Sequence, residues 1–258
     1  MAMLRVLAAA ATFAISLAGF ASDVEKERRW ADQIVDSLID GDAVWLSAGD
    51  HEFLGIYTPA ENGSSTYGAI IAHGIGVHPN WQQVVYPLRT RLPALGWNTL
   101  SLQMPVLAND ADEGEYASII DEVIPRLDAG IRYLKEQGVE HIVLIGHSLG
   151  STMLSYYLST GTRDAEGFIA VGMPAGIRNS EVDNTKMIGK IQIPILDLYG
   201  SNDLDTVIAA VPKRRDGKAA GGGYRSQQVQ GANHFFDGQD DALIKAVQTW
   251  LDGTIVSR

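Results

Sequence analysis

The chain has 258 residues, 46% of them apolar and 20% charged, with a formal net charge of -11 and no cysteine. This composition excludes bulk disorder and leaves room for a sizeable core. The negative charge argues against nucleic acid or an anionic lipid surface as a partner, and the absence of Cys rules out disulfides, a thiolate nucleophile and thiol-ligated metal.

In chain order, Arg5 precedes an apolar run from Val6 to Leu17 that ends in Ala18-Gly19-Phe20-Ala21. That is the pattern of an export signal, with cleavage expected after Ala21. An uncleaved anchor is the competing reading, although the run is short for a membrane span, and no later stretch is long enough to cross one. The remaining length suits one large α/β domain or two small ones.

Trp30, Ile34, Val35, Leu38 and Ile39 form one helical stripe within residues 22–42. Ala43 to Ser47 and His51 to Tyr57 read as a hairpin around Gly49-Asp50. Tyr67 to Ala72 is strand-like and ends at His73-Gly74-Ile75-Gly76. Trp81, Val84, Val85, Leu88, Leu92 and Leu95 predict an amphipathic helix, with Pro87 a candidate kink. A strand from Trp97 to Met104 is followed by an acidic loop, Asp110, Asp112, Glu113 and Glu115, and then by a helix carrying Ile120, Val123, Ile124, Leu127, Ile131 and Leu134. Strands are expected at Gly167 to Met173, Ile191 to Tyr199 and Tyr224 to Gln230, with a last helix through Leu243, Val247 and Trp250. Lys213, Arg214 and Arg215 ahead of Gly221-Gly222-Gly223 read as a solvated connection. From Tyr67 onward strands and helices alternate, which predicts a mostly parallel central sheet covered by helices on both faces.

The centre of this pattern is His141 to Thr152. Four apolar residues, Ile142 to Ile145, suit a strand buried on both faces. The chain then breaks at Gly146, presents Ser148 and resumes after Gly150 as a helix. A reversal this tight places Ser148 at a strained backbone angle, and the flanking glycines remove the Cβ atoms that would collide with it. The N–H of Leu149 opens the new helix, where developing negative charge is favoured. An ordinary Ser-capped helix start is the plainer alternative.

Ligands of open α/β sheets bind at the carboxyl ends of the strands, so residues just after each strand share one rim. Ser148, Asp203 and His234 all occupy such positions, in an order that lets His234 act as base to the Ser148 hydroxyl and Asp203 orient it; Asp205 is a rival for the acid.

Taken together, His73-Gly74, Gly146-His-Ser-Leu-Gly150, Gly200-x-x-Asp203 and Asn233-His234 resemble the α/β-hydrolase superfamily over residues 43–252. Within it, His73-Gly-Ile-Gly-Val-His78-Pro-Asn-Trp81, Pro87-Leu-Arg89 and Gly96 to Pro105 are similar to a bacterial branch known only as a domain of unknown function. With residues 1–21 read as a signal peptide from their own pattern, and the chain therefore expected to be exported and periplasmic, the resemblance implies that residues 22–258 form a single α/β-hydrolase domain. It further implies nucleophile Ser148, acid Asp203 and base His234, with oxyanion donors at the N–H groups of Ile75 and Leu149. The implied activity is cleavage of an ester, thioester or similar bond in a small or lipid-like acyl substrate. A catalytically idle fold serving as an envelope binding module is the alternative.

Among the other side chains, His78 is a candidate substrate contact, His73 a brace for the oxyanion loop, and His147 a packing residue. His51 and His141 are expected to be structural. Asp197, a carboxylate in an apolar strand, is expected to satisfy a buried backbone or Arg donor. The six histidines lack His-x-x-x-His spacing and the acidic loop lacks a calcium pattern, so no metal is called for. Gly74-x-Gly76 lacks the third glycine of a dinucleotide fingerprint, so no cofactor is either. Some seventeen residues between the strands ending near Met173 and starting at Ile191 are too few for a lid domain, which predicts an open site.

Overall fold

The apolar runs become strands of one sheet, and their alternation decides which face each residue serves. The computed structural model describes residues 22–161, 163–218 and 223–257. The expected signal peptide, residues 1–21, lies outside the described residues, as do Gly221 and Gly222.

The strands are β1 Asp42–Ala48, β2 His51–Thr58, β3 Tyr67–Ala72, β4 Asn98–Leu102, β5 His141–His147, β6 Gly167–Val171, β7 Ile195–Asn202 and β8 Tyr224–Asn233. The helices are α1 Val24–Ser37, α2 Val85–Arg91, α3 Val123–Glu136, α4 Leu149–Ser159, α5 Asn184–Lys190, α6 Asp205–Lys218 and α7 Asp240–Leu251. Among the described residues the eight strands form one sheet in the order β1-β2-β4-β3-β5-β6-β7-β8. The first two pairings are antiparallel and the rest parallel. This is the α/β-hydrolase fold, and no domain-sized insertion follows β6 among the described residues.

Successive residues of a strand point to opposite faces. Ile70 and Leu144 accordingly join one core with Leu127 of α3 and Leu154 of α4. Ile71 and Ile145 join the other, with Leu88 of α2 and Val247 and Trp250 of α7. A third, small cluster seats Ala31 and Ile34 of α1 on Leu54 and Ile56 of β2.

Three segments depart from the sequence reading. The stripe at residues 22–42 ends early: α1 stops at Ser37, Leu38 is extended at ψ 123, and Ile39 is 91% exposed. Only Val85–Arg91 of the helix expected from Trp81 is α-helical, because Val84 takes a positive φ of 59, a conformation that interrupts any helix. Pro87 falls in its first turn, where a missing N–H costs no hydrogen bond. The acidic loop is a 3-10 helix, Glu113–Glu122, opened by a capping box between Asp112 and Glu115.

The basic stretch is a correction. Lys213, Arg214 and Arg215 belong to α6, and Arg214 is fully buried rather than solvated. Its guanidinium donates to both oxygens of Asp197, at 2.8 and 3.1 Å, so the carboxylate of β7 meets an Arg donor.

Candidate active site

The turn from β5 to α4 is dictated by what its glycines exclude. A Cβ on Gly146 would stand 2.6 Å from the backbone of Ser151, and one on Gly150 would stand 2.4 Å from the carbonyl oxygens of Ala72 and His73. Packed this closely, Ser148 is held at φ 52 and ψ -120, sparsely populated for any L-residue, while its N–H donates to the Val171 carbonyl at 2.9 Å.

The Ser148 hydroxyl lies 3.0 Å from His234 Nε2, and His234 Nδ1 lies 2.7 Å from Asp203 Oδ1. Asp203 also accepts from the N–H groups of Leu204 at 2.8 Å and Gly200 at 3.2 Å. Burial would raise the Asp203 carboxyl, but the hydrogen bond from His234 and these two N–H donors outweigh it and hold the group below the usual carboxylate range. An ionised Asp203 can only accept, so His234 Nδ1 carries the proton of that bond, and Nε2 is placed to accept from the serine. The structure thus brings Ser148, Asp203 and His234 together. Asp205 is exposed, two residues away at the start of α6.

The other rim histidines are neutral. His147 donates through Nε2 to the His234 carbonyl at 3.0 Å and packs against its ring at 5.1 Å, so it fixes the backbone that carries the imidazole. Burial, and then the neighbouring His234, lowers it to about 4. His73 donates through Nδ1 to the Gly74 carbonyl at 2.9 Å and accepts at Nε2 from the Met104 N–H at 2.9 Å. Burial lowers it to about 3.

Unfolded, both histidines would bind a proton near pH ~6.5. As pH falls below that value the unfolded chain takes up protons that the folded chain refuses until about 4 and 3, so stability is full above the window and is lost on acidification through it. The urea midpoint should therefore fall steadily from pH 7 to pH 4.5. A His147→Gln variant, with one such group removed, should show a shallower fall; equal slopes would contradict the assignment.

Behind the loop after β3 runs a buried network that sequence reading missed. Gln103 donates through Nε2 to His73 at 3.1 Å, and its carbonyl accepts from Arg126 at 3.0 Å. Arg126 is fully buried and pairs with both oxygens of Glu27 on α1, at 2.8 and 3.1 Å. His51 also meets Glu27, at 3.1 Å. The first helix is therefore joined to the Gly74 loop through Glu27, Arg126, Gln103 and His73. A signal existed: Glu27 and Arg126 fall on the apolar stripes of their helices, and a charge there needs a partner.

A cavity of 390 Å³ opens at Ser148. Ile75, Trp81, Leu149, Pro174, Leu204 and Phe235 supply most of its apolar wall, and Glu113 is the carboxylate among its described lining residues. Ile75 and Leu149, the two residues expected to offer N–H donors, both border it. Leu149 begins α4, so its N–H has no acceptor within the helix. Of the four acidic residues after β4, only Glu113 reaches this wall, since Asp112 and Glu115 cap their own helix. His78, the candidate substrate contact, does not line this cavity. It stands in a neighbouring groove between the rings of Trp30 and Trp81, 5.6 Å from each. A larger cavity of 610 Å³, between α1 and the β1-β2 hairpin, contains no serine. Among the described residues, no group of three or more His, Asp or Glu is placed to hold a metal.

A serine hydroxyl donating to an imidazole, itself fixed by an ionised carboxylate, has the wiring to lose its proton as it attacks a carbonyl carbon. The open N–H groups at a helix start can receive the resulting oxyanion.

The chain matches the family described as "Protein of unknown function (DUF3530)" over residues 18–118 and 108–253. No curated protein matches it. Among solved structures, Est1E from Butyrivibrio proteoclasticus is 15% identical with a TM-score of 0.67, over 83% of this chain and 99% of its own. An esterase of Pyrococcus furiosus is 16% identical with a TM-score of 0.68, over 86% of this chain and 95% of its own. An α/β serine hydrolase without a lid from Xanthomonas campestris is 18% identical with a TM-score of 0.65, over 83% and 94%. At these identities the likeness establishes the fold.

Proposed function

This chain belongs to the DUF3530 family within the α/β-hydrolase superfamily, and from that premise we propose that it is an exported serine hydrolase that cleaves neutral acyl esters or thioesters. The observation that carries the reading is the hydrogen-bonded chain Ser148, His234, Asp203, at 3.0 and 2.7 Å, on a serine held at φ 52. The names of two structural neighbours, the Pyrococcus furiosus esterase and the Xanthomonas campestris serine hydrolase, add support.

In this reading Ser148 Oγ attacks the acyl carbonyl and its proton passes to His234 Nε2. Asp203 stabilises the imidazolium, and the N–H groups of Leu149 and Ile75 receive the oxyanion. The imidazolium then protonates the departing alcohol or thiol, leaving the acyl group on Ser148. His234 next takes a proton from water as the water oxygen attacks the acyl carbonyl; the bond to Ser148 Oγ breaks, the imidazolium returns its proton to Oγ, and the acid leaves. The test is labelling of the pure protein by a fluorophosphonate probe, with turnover of a panel of p-nitrophenyl esters. No labelling and no turnover would favour an idle binding fold.

Two further expectations follow from charge and from the leader. Glu113 beside the cavity meets the exposed Arg178 at 3.5 Å, a pair that solvent screens, so the net charge of -11 and this carboxylate together disfavour a second negative charge near the scissile bond. A neutral ester should have a higher kcat/KM than its matched carboxylate analogue, with the gap narrowing as salt screens the field; a ratio near one at low and high salt would remove Glu113 from the account. Residues 1–21 are read as a cleaved leader, so mass spectrometry of the chain from an envelope fraction should find Ser22 at the N-terminus, and an intact Met1 would refute it.

A further inference from the structure

The groove that holds His78 adjoins the Ser148 cavity, and Trp81 forms a wall of both. We propose that this groove binds the alcohol half of the substrate and that this half is a neutral sugar or similar polyol. The inference rests on the hydrolase reading above and extends it to the substrate class.

The groove has two kinds of surface. Trp30 of α1 and Trp81 after β3 provide aromatic rings on either side of His78. Aromatic rings bury the C–H faces of a sugar by area and dispersion while leaving its hydroxyls free to bond at the edges. Between the rings lie uncharged hydrogen-bonding groups. Gln33 and Ser37 share the α1 face with Trp30, at i+3 and i+7, and Asn80 and Gln82 flank Trp81.

The bonding state of these groups suits hydroxyls. His78 Nδ1 accepts from the Asn80 N–H at 3.2 Å, so the neutral ring carries its proton on Nε2 as a donor. Burial lowers the His78 pKa, which keeps it in that neutral form. Asn80 Oδ1 is occupied by the Arg89 guanidinium at 3.2 and 2.5 Å, so its amide has N–H donors to offer. Ser37 spends its proton on the Gln33 carbonyl at 2.8 Å and keeps acceptor lone pairs. A ligand that both donates and accepts at several points answers this set.

Among the described residues no carboxylate or cation lines the groove, which sets aside a charged ligand. Aromatic cages also take quaternary ammonium groups. Here, however, Lys26 Nζ already stands 4.8 Å over the Trp30 ring, and a second cation would be repelled. At 270 Å³ the groove is just below the ~300 Å³ of the smallest ligand pockets, so it takes a small group. The acyl half then has the apolar cavity of Ile75, Leu204 and Phe235 on the other side of the scissile bond.

The experiment uses the indole N–H signals of the five tryptophans in the ¹⁵N spectrum of the Ser148→Ala protein, titrated with methyl β-glucopyranoside and, separately, choline chloride. The glycoside should move the Trp30 and Trp81 signals saturably and leave Trp45, Trp97 and Trp250 in place. Gln33→Ala with Gln82→Ala, changes at exposed side chains that leave the core intact, should weaken that binding about tenfold. In the unmutated protein, 6-O-acetylglucose should have a higher kcat/KM than ethyl acetate, and Trp30→Ala should cut that ratio about tenfold. Silent Trp30 and Trp81 signals, or a response to choline in place of the glycoside, would overturn the proposal even if simple esters are hydrolysed. Saturable shifts in a protein that turns over no ester would sustain the groove and sink the hydrolase reading instead.

Discussion

Replacing Ser148 with alanine should abolish fluorophosphonate labelling and lower kcat/KM for a short neutral ester by about 10³-fold or more. That loss corresponds to about 4 kcal/mol of transition-state stabilisation. The size follows from the geometry: without Oγ there is no atom 3.0 Å from His234 Nε2 to attack the carbonyl, while the cavity and the N–H groups at the start of α4 remain. Stability should hardly change in this variant, because alanine suffers the same positive φ of 52 as serine. Ser148→Gly separates chemistry from strain. It should be equally inactive yet more stable by about 1 kcal/mol, since glycine adopts that backbone freely. Calorimetry would then find its Tm raised by about 2–4 °C. Persistent labelling of Ser148→Ala would move the nucleophile elsewhere in the chain.

The strands around the site were legible because their residues report burial directly. Ile142 to Ile145 admit no exposed face, and all four are buried in β5. Gly146 and Gly150 were readable for a related reason, since a strand-to-helix reversal leaves room for no Cβ, and the 2.4 and 2.6 Å approaches show how little there is. Partners across the fold were not legible in the same way. Arg126 on its apolar stripe announces a buried charge, but nothing local says that Glu27, 99 residues earlier, will meet it. The helix α6 was hidden because Pro212 and a run of basic residues mask its period, while the residue that anchors it, Arg214, resembles its exposed neighbours until Asp197 is seen opposite. The place of His78 was not legible either, because residues just after β3 need not all face one rim. The chain turns at Gly76, φ 66, and carries His78 round to α1.

Asp197→Asn should destabilise the protein by about 3–5 kcal/mol and lower its Tm by on the order of 10 °C, a larger stability effect than any change at the site itself. Both partners are fully buried, and Arg214 gives Asp197 two hydrogen bonds while its Nη1 holds the Met173 carbonyl at 2.8 Å. The Tyr224 hydroxyl donates to the same carboxylate, and burial, followed by the Asp197 charge, raises its pKa so that it stays a donor. Asparagine keeps the shape but leaves a buried guanidinium without its counter-charge and turns an N–H₂ toward existing donors, so the penalty is that of an uncompensated ion rather than of one lost bond. Met173 and its neighbour Pro174 lead into the cavity wall, so kcat/KM should fall as well, by less than in Ser148→Ala. The control is Asp197→Leu with Arg214→Met. Removing both charges takes away the desolvation cost along with the attraction, so the double variant should recover more than half of the lost Tm, a non-additivity that identifies the pair as the cause. If the double variant is as unstable as Asp197→Asn, the loss lies in the Tyr224 and Met173 contacts, and the ion pair is not what holds β7 to α6.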